Sequence, residues 1–167
     1  MTSRPHVRRT LLGLLAGGSA LAIVRPWRAA DGAVGTFAIV KSDEEWRRQL
    51  SPAAFAVLRE HATERAFTSP LDAEKRPGIF ACAGCELPLF DAATKFDSGT
   101  GWPSFWVPIE GAIGTTVDRK FFMTRTEVHC SRCGGHQGHV FEDGPKPTGL
   151  RYCINGVALV FKPAATG

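Results

Sequence analysis

The sequence of 167 residues contains no apolar run long enough to cross a lipid bilayer. Its main apolar stretch, Leu11 to Val24, has 14 residues, whereas a transmembrane helix needs about 20. This stretch follows the pair Arg8-Arg9, and residues 1–30 contain no acid. A charged start before a short apolar region is typical of an export signal, and the arginine pair resembles a twin-arginine signal. We therefore expect an exported, periplasmic protein, or one anchored to the membrane by an uncleaved leader.

The sequence also lacks a surplus of basic charge beyond its first 30 residues. The formal net charge is +4, but the leader carries five arginines, so the remainder holds 15 basic and 16 acidic residues and has a net charge of −1. Since nucleic-acid-binding domains present a positive surface, this balance argues against nucleic acid as a partner. We see no low-complexity tract. The length leaves room for one domain with a core. We expect a linker or opening strand at 31–41, a domain at 42–163, a tail at 164–167 and a monomer.

Helix signals are confined to the start of the expected domain. Ser42 begins a capping-box pattern, and Ser51-Pro52 opens a second helix. His61, near the end of that second helix, is expected to be solvated. Further along the chain, short apolar runs alternate with glycine, proline and aspartate. This spacing predicts a mainly β fold built from antiparallel strands.

Cysteine is scarce, and four of the five cysteines form two C-x-x-C pairs: Cys82, Cys85, Cys130 and Cys133. Two thiolates at this spacing can bind one metal ion, and four make a tetrahedral zinc site. We favour one structural zinc ion that holds the two C-x-x-C turns together. The alternatives are disulfides, which an exported setting permits, and a redox-active pair. His136 stands three residues after Cys133 and could replace a thiolate as ligand.

The fifth cysteine, Cys153, belongs to no pair. The run from Tyr152 to Phe161 is rich in aromatic and branched residues, which predicts a strand. Because residues i−2, i and i+2 of a strand point to one face, Arg151, Cys153 and Asn155 are expected to lie side by side. A cation beside a thiol favours the reactive thiolate, so the triplet indicates a nucleophile. The other interpretation is a buried structural thiol.

Two histidines and one tryptophan complete the candidate site. His136 and His139 lead into a predicted strand, where they could bind metal or transfer protons. If four thiolates already hold a metal, proton transfer is the better interpretation. Trp102 lies among glycines and prolines, which predict a loop. Its indole is either a cap over the core or the wall of a pocket.

Four motifs carry a family resemblance. They are Cys-Ala-Gly-Cys at 82–85, Lys-Phe-Asp-Ser-Gly-Thr-Gly-Trp-Pro-Ser-Phe at 95–105, Cys-x-x-Cys-Gly-Gly-His-x-Gly-His-Val-Phe at 130–141 and Asp-Gly-Pro-x-Pro-Thr-Gly-x-Arg-Tyr-Cys-Ile-Asn at 143–155. With Glu-Arg-Ala-Phe at 64–67, they make residues 42–162 resemble the type B methionine sulfoxide reductases. The resemblance implies two small antiparallel sheets that form a barrel-like core with N-terminal helices. It also implies zinc held by the four paired cysteines.

The resemblance implies reduction of the R epimer of methionine sulfoxide, in proteins or free. Its residues would have distinct roles, which join those inferred above. Cys153 attacks the sulfoxide sulfur, and the proton donor is His139 with His136 beside it. Arg151 favours the thiolate, Asn155 orients the acid or the substrate, and Trp102 packs against the S-methyl group. Cys153 then becomes a sulfenic acid.

The sequence departs from many members of this family at Thr100, where they carry a second, resolving cysteine. With the other four cysteines assigned to zinc, no thiol remains for an internal disulfide. We therefore expect an external thiol, from a thioredoxin-like protein or a small molecule, to reduce the sulfenic acid. Two other function classes stay open at this point. One is a zinc-ribbon binding module without catalysis, and the other is a disulfide oxidoreductase that uses the C-x-x-C pairs.

Overall fold

A computed structural model of the protein describes residues 37–120 and 123–165. The leader expected at 1–30, most of the linker expected at 31–41 and the last two residues of the tail lie outside these ranges. None of the helices in the described ranges is long and apolar enough to cross a membrane.

Two helices open the described chain, α1 at Asp43–Gln49 and α2 at Pro52–Glu60. The side chain of Ser42 accepts a hydrogen bond from the backbone N–H of Glu45, and the Glu45 carboxylate accepts one from the Ser42 N–H at 2.8 Å. At α2 only one of these bonds is present: the side chain of Ser51 accepts from the backbone N–H of Ala54, and a proline lies in the first turn. These bonds satisfy N–H groups that a helix start leaves free. Both predicted helix starts are confirmed.

Nine strands follow the helices in the ranges that the structure describes. They are β1 (Gly78–Cys82), β2 (Pro88–Asp91), β3 (Lys95–Phe96), β4 (Ser104–Phe105), β5 (Ile113–Lys120), β6 (Met123–Cys130), β7 (His136–Phe141), β8 (Arg151–Ile154) and β9 (Leu159–Pro163). Three of them form a sheet in the order β2-β1-β9, and six form a sheet in the order β3-β4-β8-β7-β6-β5. All pairings are antiparallel.

The predicted fold class, mainly β with two antiparallel sheets and N-terminal helices, is confirmed. The expected barrel-like core is built from two separate sheets. Within the described residues, β3 and β5 remain open edges of the larger sheet, so the two sheets do not join into a closed barrel. The shortness of β3 and β4, two residues each, leaves little backbone for further pairing.

One face of the six-stranded sheet carries the hydrophobic core. Val128, Tyr152, Ile154 and Phe105 are all at most 3 % exposed. Phe90 of β2 stacks on Phe105 with ring centroids 4.3 Å apart. Side chains alternate between the two faces of a strand, so the residues between these core positions face the other way.

The opposite face carries a row of polar side chains. Cross-strand partners lie on the same face of a sheet, and the register pairs Ser104 with Cys153, Cys153 with His139, His139 with Glu127, and Glu127 with Thr116. Five strands thus contribute one residue each to a line across the sheet. The fold places Cys153 second in this polar row, between the hydroxyl of Ser104 and the imidazole of His139.

Phe90 offers a test of this packing. Its ring is fully buried against Phe105 and Tyr152. We expect Phe90→Ala to lower the free energy of unfolding by about 3–5 kcal/mol, because it leaves a cavity in a dense core. The matched control is Phe67→Ala, since Phe67 is 73 % exposed and should change stability by no more than about 0.5 kcal/mol. Urea unfolding followed by circular dichroism measures both, and equal losses would contradict the assignment of the core.

Candidate functional site

Cys153 lies half-buried on β8, under a short chain of hydroxyl groups. The Thr100 hydroxyl is 3.9 Å from the Cys153 sulfur. Ser98 bonds to that hydroxyl at 2.8 Å and to the hydroxyl of Ser104, the cross-strand neighbour of Cys153, at 2.7 Å. The loop that carries Thr100 is therefore held against the thiol. Thr100, at the position where the resemblance implies a resolving cysteine in many relatives, therefore faces the expected nucleophile.

The Cys153 thiol is harder to ionise than its sequence neighbours indicate. Burial raises its pKa, while the hydrogen bond with Thr100 and the guanidinium of Arg151 lower it to a smaller extent. Arg151 is bound by the Asp143 carboxylate through two bonds of 2.8 and 2.9 Å, and the charge of Asp143 opposes thiol ionisation. Burial therefore favours a neutral thiol in the free protein over the thiolate that the neighbouring cation favours. Arg151 acts in the predicted direction, but burial outweighs it.

His139 lies directly across from Cys153 and is held by a carboxylate. Its Nε2 is 3.0 Å from an oxygen of Asp118, which also accepts a hydrogen bond from Arg125 at 2.7 Å. The bond from His139 lowers the pKa of Asp118, so that carboxylate is ionised and Nε2 carries the proton. This assignment of the tautomer follows from the hydrogen bond. Burial lowers the pKa of His139, which leaves Nδ1 as a free base at neutral pH.

A β-bulge brings His136 to the same region. Residues three apart in a regular strand point to opposite faces. Here Val128 pairs with Gly138 while the next residue, His129, pairs with His136, so β7 holds one extra residue, Gln137. The bulge reverses the alternation of side chains, and the rings of His136 and His139 lie 5.4 Å apart. The structure thus brings together the two histidines that the sequence predicted to cooperate.

His136 and His61 share one carboxylate, that of Glu127. Their Nδ1 atoms lie 2.7 and 3.0 Å from the same oxygen of Glu127, and Thr116 donates to the other oxygen at 2.6 Å. Burial raises the pKa of Glu127, but these three hydrogen bonds outweigh burial and leave the pKa below its usual range. His61, predicted to be solvated, is partly exposed and also makes this contact. It caps the end of α2 in a left-handed conformation, which turns its ring toward the sheet.

Asn155 does not continue the exposed face of β8. The strand ends at Ile154 and a 3-10 turn begins at Gly156, so the alternation that would align Asn155 with Cys153 stops before it. The side chain is buried. Its oxygen accepts from the N–H of Glu64 at 2.8 Å, and its amide donates to the carbonyl of Gln137 at 3.0 Å. Asn155 therefore ties β8 to the β7 bulge and to the segment after α2.

Trp102 is half-buried and is fixed by the same segment. Its indole N–H donates to the carbonyl of Glu64 at 3.0 Å, and the N–H of Phe67 donates to the carbonyl of Gly101 at 2.8 Å. Gly101 has φ +84°, and a Cβ there would lie 2.7 Å from Phe67. Trp102 stands two residues after Thr100, which contacts Cys153. These contacts fix the indole against the segment after α2.

The four paired cysteines converge into a cluster suited to a metal ion. Sulfur atoms approach across the two turns, at 3.7 Å for Cys82 and Cys133 and 3.5 Å for Cys85 and Cys130. Four thiolates around zinc stand about 3.8 Å apart, because each Zn–S bond is about 2.3 Å long. A disulfide requires about 2.05 Å. The cluster thus fits a tetrahedral metal such as zinc, and His136, bonded to Glu127, is not one of the four ligands.

Four residues of the site carry no sequence motif that would identify their role. They are Asp118, Glu127, Asp143 and Gln137, of which Gln137 donates to the sulfur of Cys82 at 3.4 Å. A usable signal was the alternation of Arg125 and Glu127 with Thr126 and Val128, which is typical of a half-buried strand. That alternation indicates a polar face opposite Val128, but it does not say which histidine each carboxylate would meet.

Comparisons with known proteins cover most of the chain. The SelR domain family matches residues 50–163. A protein from Agrobacterium fabrum is 54 % identical over 124 residues, which are 74 % of this chain and 92 % of the relative. One from Pseudomonas putida is 57 % identical over 126 residues, 75 % and 95 % of the two chains. A protein from Methanosarcina barkeri is 52 % identical over 131 residues, which are 78 % of this chain and 92 % of the relative. All three are named "Peptide methionine sulfoxide reductase MsrB".

The raised pKa of Cys153 predicts its reactivity. We expect alkylation of Cys153 by iodoacetamide to be slow at pH 7, with a midpoint above the ordinary cysteine pKa of about 8.5. In Arg151→Met and Thr100→Val the midpoint should move further up, since each variant loses a group that favours the thiolate. Thr100→Ser keeps the hydroxyl and serves as the control. Mass spectrometry of the alkylated peptide measures each rate, and a midpoint below pH 7 would contradict the neutral thiol.

The cysteine cluster predicts that metal binding and stability are linked. We expect Cys85→Ser to lose the bound metal and to lower Tm by about 10 °C or more, because a structural metal contributes directly to folding. Cys153→Ser is the matched control, as it removes a thiol outside the cluster and should keep both the metal and the Tm. Metal analysis and calorimetry decide this, and a metal-free wild-type protein of unchanged Tm would refute the linkage.

Proposed function

This chain belongs to the SelR domain family of methionine sulfoxide reductases, and we propose that it reduces the R epimer of methionine sulfoxide, protein-bound or free, to methionine. The observation that carries this proposal is the pairing of Cys153 with His139 across β8 and β7. It sets a thiol next to an imidazole whose far side is bound to Asp118. A nucleophile, a base and a group that orients the base are the parts that nucleophilic catalysis needs.

The first step transfers oxygen to Cys153. Nδ1 of His139 takes the thiol proton as the sulfur attacks the sulfoxide sulfur, and the imidazolium then returns the proton to the sulfoxide oxygen. The S–O bond of this adduct breaks and hydroxide leaves, so that a sulfonium with an S–S bond between Cys153 and methionine remains. Hydroxide then attacks the Cys153 sulfur, the S–S bond breaks, and methionine leaves with its electron pair. Cys153 keeps the oxygen as a sulfenic acid, so cysteine is oxidised by two electrons and the sulfoxide is reduced by two.

The neutral thiol of the free protein suits this order of events. A buried thiol stays protonated until the base and the substrate act together, and Asp118 stabilises the imidazolium that forms. Arg151 favours the thiolate once it appears. The ring of His136 lies 5.4 Å from that of His139, and the two histidines together form the proton-transfer group. We assign Asn155 the role of a positioning residue, since its side chain bonds to Glu64 and Gln137.

Trp102 supplies the apolar wall for the S-methyl group of the substrate. Its indole N–H is bound by the carbonyl of Glu64, and Trp102 lies two residues after Thr100, whose hydroxyl contacts Cys153. A fixed aromatic face accepts a methyl group and disfavours larger or charged substituents. The selection of the R epimer would follow from the positions of this wall and of His139 around the sulfoxide sulfur.

The cycle closes with an external thiol. No cysteine occupies position 100, and Thr100 itself is the group beside the Cys153 sulfur. A thioredoxin-like protein or a small thiol attacks the sulfenic acid, which releases water and forms a mixed disulfide. A second thiol then restores Cys153 and carries away the disulfide.

The four-cysteine cluster would hold one structural zinc ion, which links the turns after β1 and β6. Close sulfur contacts run between the two C-x-x-C pairs, as in a shared metal site. This arrangement disfavours a disulfide oxidoreductase that uses either pair. The leader at 1–30 supports export to the periplasm, where the enzyme would repair oxidised proteins as a monomer.

The test of the proposed function is an assay with both sulfoxide epimers. We expect the wild-type protein with dithiothreitol to consume the R epimer of a methionine sulfoxide substrate and to leave the S epimer. Cys153→Ser should be inactive, and His139→Gln should lower kcat by about 10²–10⁴, the usual contribution of general acid–base catalysis. Separation of the epimers by chromatography gives the result. Consumption of the S epimer, or of neither, would refute the proposal.

The external-thiol cycle predicts the state of the oxidised protein. After one turnover without reductant, we expect trapping with dimedone to label Cys153 as a sulfenic acid in the wild-type protein. In Thr100→Cys, we expect an internal disulfide to Cys153 instead, because the two side chains are in contact. Thr100→Ser is the control and should still give the dimedone adduct. An internal disulfide in the wild-type protein would rule out the external-thiol cycle.

A further inference from the structure

Three potential metal ligands converge at one edge of the candidate site. His61 ends α2, Glu127 lies on β6, and His136 begins β7. Both imidazoles direct Nδ1 at the same carboxylate oxygen, at 3.0 and 2.7 Å. One ligand atom from each of the three residues lies within 4.8 Å of the others. Three elements far apart in the sequence thus supply two nitrogens and one oxygen to a single point.

The Glu127 carboxylate is oriented before any ion arrives. Its second oxygen accepts a hydrogen bond from Thr116 at 2.6 Å, an arrangement that holds ligating carboxylates in metal sites. Only 12 % of the side chain is exposed. Among the described residues, its ion-pair partners are the two histidines alone, and these carry charge only when protonated. A nearly buried carboxylate with no permanent cation beside it is well placed to receive one.

The geometry requires only a small opening to accept an ion. Ligand atoms around tetrahedral zinc stand about 3.3 Å apart, because the Zn–N and Zn–O bonds are about 2.0–2.1 Å long. The present separations of 2.7 and 3.0 Å are slightly shorter. Two sides of the cluster are buried, whereas the side chain of His61 is 43 % exposed. An ion can therefore enter past His61 and keep water in its fourth position.

We propose that His61, Glu127 and His136 form a second metal site, which takes one divalent transition cation of the zinc type. Two imidazoles and one carboxylate are ligands that zinc shares with other late transition metals, whereas calcium and magnesium prefer sites built from oxygen alone. The site differs from the four-cysteine cluster in its ligands and in its accessibility. It is weaker and exchanges its ion with the solvent, since it offers three ligands where the cluster offers four.

This site bears on the reaction because it shares His136 with the proton-transfer group, a consequence that rests on the proposed function. An ion on Nδ1 of His136 replaces the hydrogen bond to Glu127. It also adds positive charge within reach of His139, whose ring is 5.4 Å from that of His136. A nearby positive charge makes His139 a weaker base. Bound metal therefore slows the step in which Cys153 loses its proton, and inhibition is reversible.

The binding test uses full-length protein that carries one zinc ion in the four-cysteine cluster. We expect titration with Zn²⁺ to add a second ion per chain and to shift the imidazole nitrogen resonances of His61 and His136 in ¹⁵N spectra. His61→Asn should weaken this second binding by about 100-fold or more, since loss of a ligand exceeds the 10–100-fold cost of losing an outer partner. Asparagine tolerates the left-handed backbone at this position, φ 57°, so α2 should keep its end.

Two controls separate this site from others. Glu60→Gln removes a neighbouring negative charge outside the cluster and should keep the second ion. Cys153→Ser should also keep it, which shows that the thiol is not a ligand. A second ion that survives His61→Asn, or that disappears in Cys153→Ser, would overturn the proposal. So would a wild-type protein that binds no second ion at millimolar Zn²⁺.

The inhibition test measures methionine release in a single turnover, because thiol reductants chelate zinc. We expect added Zn²⁺ to slow the wild-type protein and to leave His61→Asn unaffected, while both show the same rate without added metal. Equal inhibition of both proteins would overturn the regulatory role. If the protein released no methionine at all, the proposed function would fail, and the binding test would still decide whether the site exists.

Discussion

The pairing of β7 with β8 is the constraint on which the proposed chemistry depends. Antiparallel register sets His139 opposite Cys153, and side chains in such pairs meet on one face of the sheet. The backbone pairing therefore sets the residues that carry the base and the nucleophile side by side. Gly138 allows this close pairing, since a Cβ there would lie 2.0 Å from the carbonyl oxygen of Cys153. A larger residue at that position would force the two strands apart.

Carboxylates organise the basic groups of the site one by one. Asp118 holds His139, Glu127 holds His136, and Asp143 holds Arg151. The charge of Asp143 offsets that of Arg151, so little net positive charge acts on the Cys153 sulfur. Burial then determines the state of the thiol and raises its pKa. In the proposed mechanism the sulfur becomes reactive only when His139 and the substrate are both in place, which protects it from indiscriminate oxidation.

The remainder of the fold supports this face from two sides. The segment after α2 binds Trp102 through Glu64 and Gly101 through Phe67, while Asn155 links that segment to the β7 bulge. On the other side, the four-cysteine cluster joins the turns after β1 and β6 and receives a hydrogen bond from Gln137, the extra residue of the bulge. The β7 bulge therefore connects the four-cysteine cluster to the Cys153 site, although the two sites differ in chemistry.

Local pattern in the sequence was enough for several features. The caps at Ser42 and Ser51, the alternating strands and the paired cysteine turns depend on residues a few positions apart, and the long motifs identified the family. Tertiary structure alone decided the rest. The strand register places Asp118 and Glu127 beside the histidines. The β-bulge puts His136 on the same face of the sheet as His139. Because β8 ends at Ile154, Asn155 does not share the face of Cys153. The pKa of Cys153 also depends on tertiary structure, since burial by the surrounding elements raises it more than the neighbouring Arg151 lowers it. Local periodicity cannot report these features, because each arises from contacts between strands whose order and register no short stretch of sequence contains.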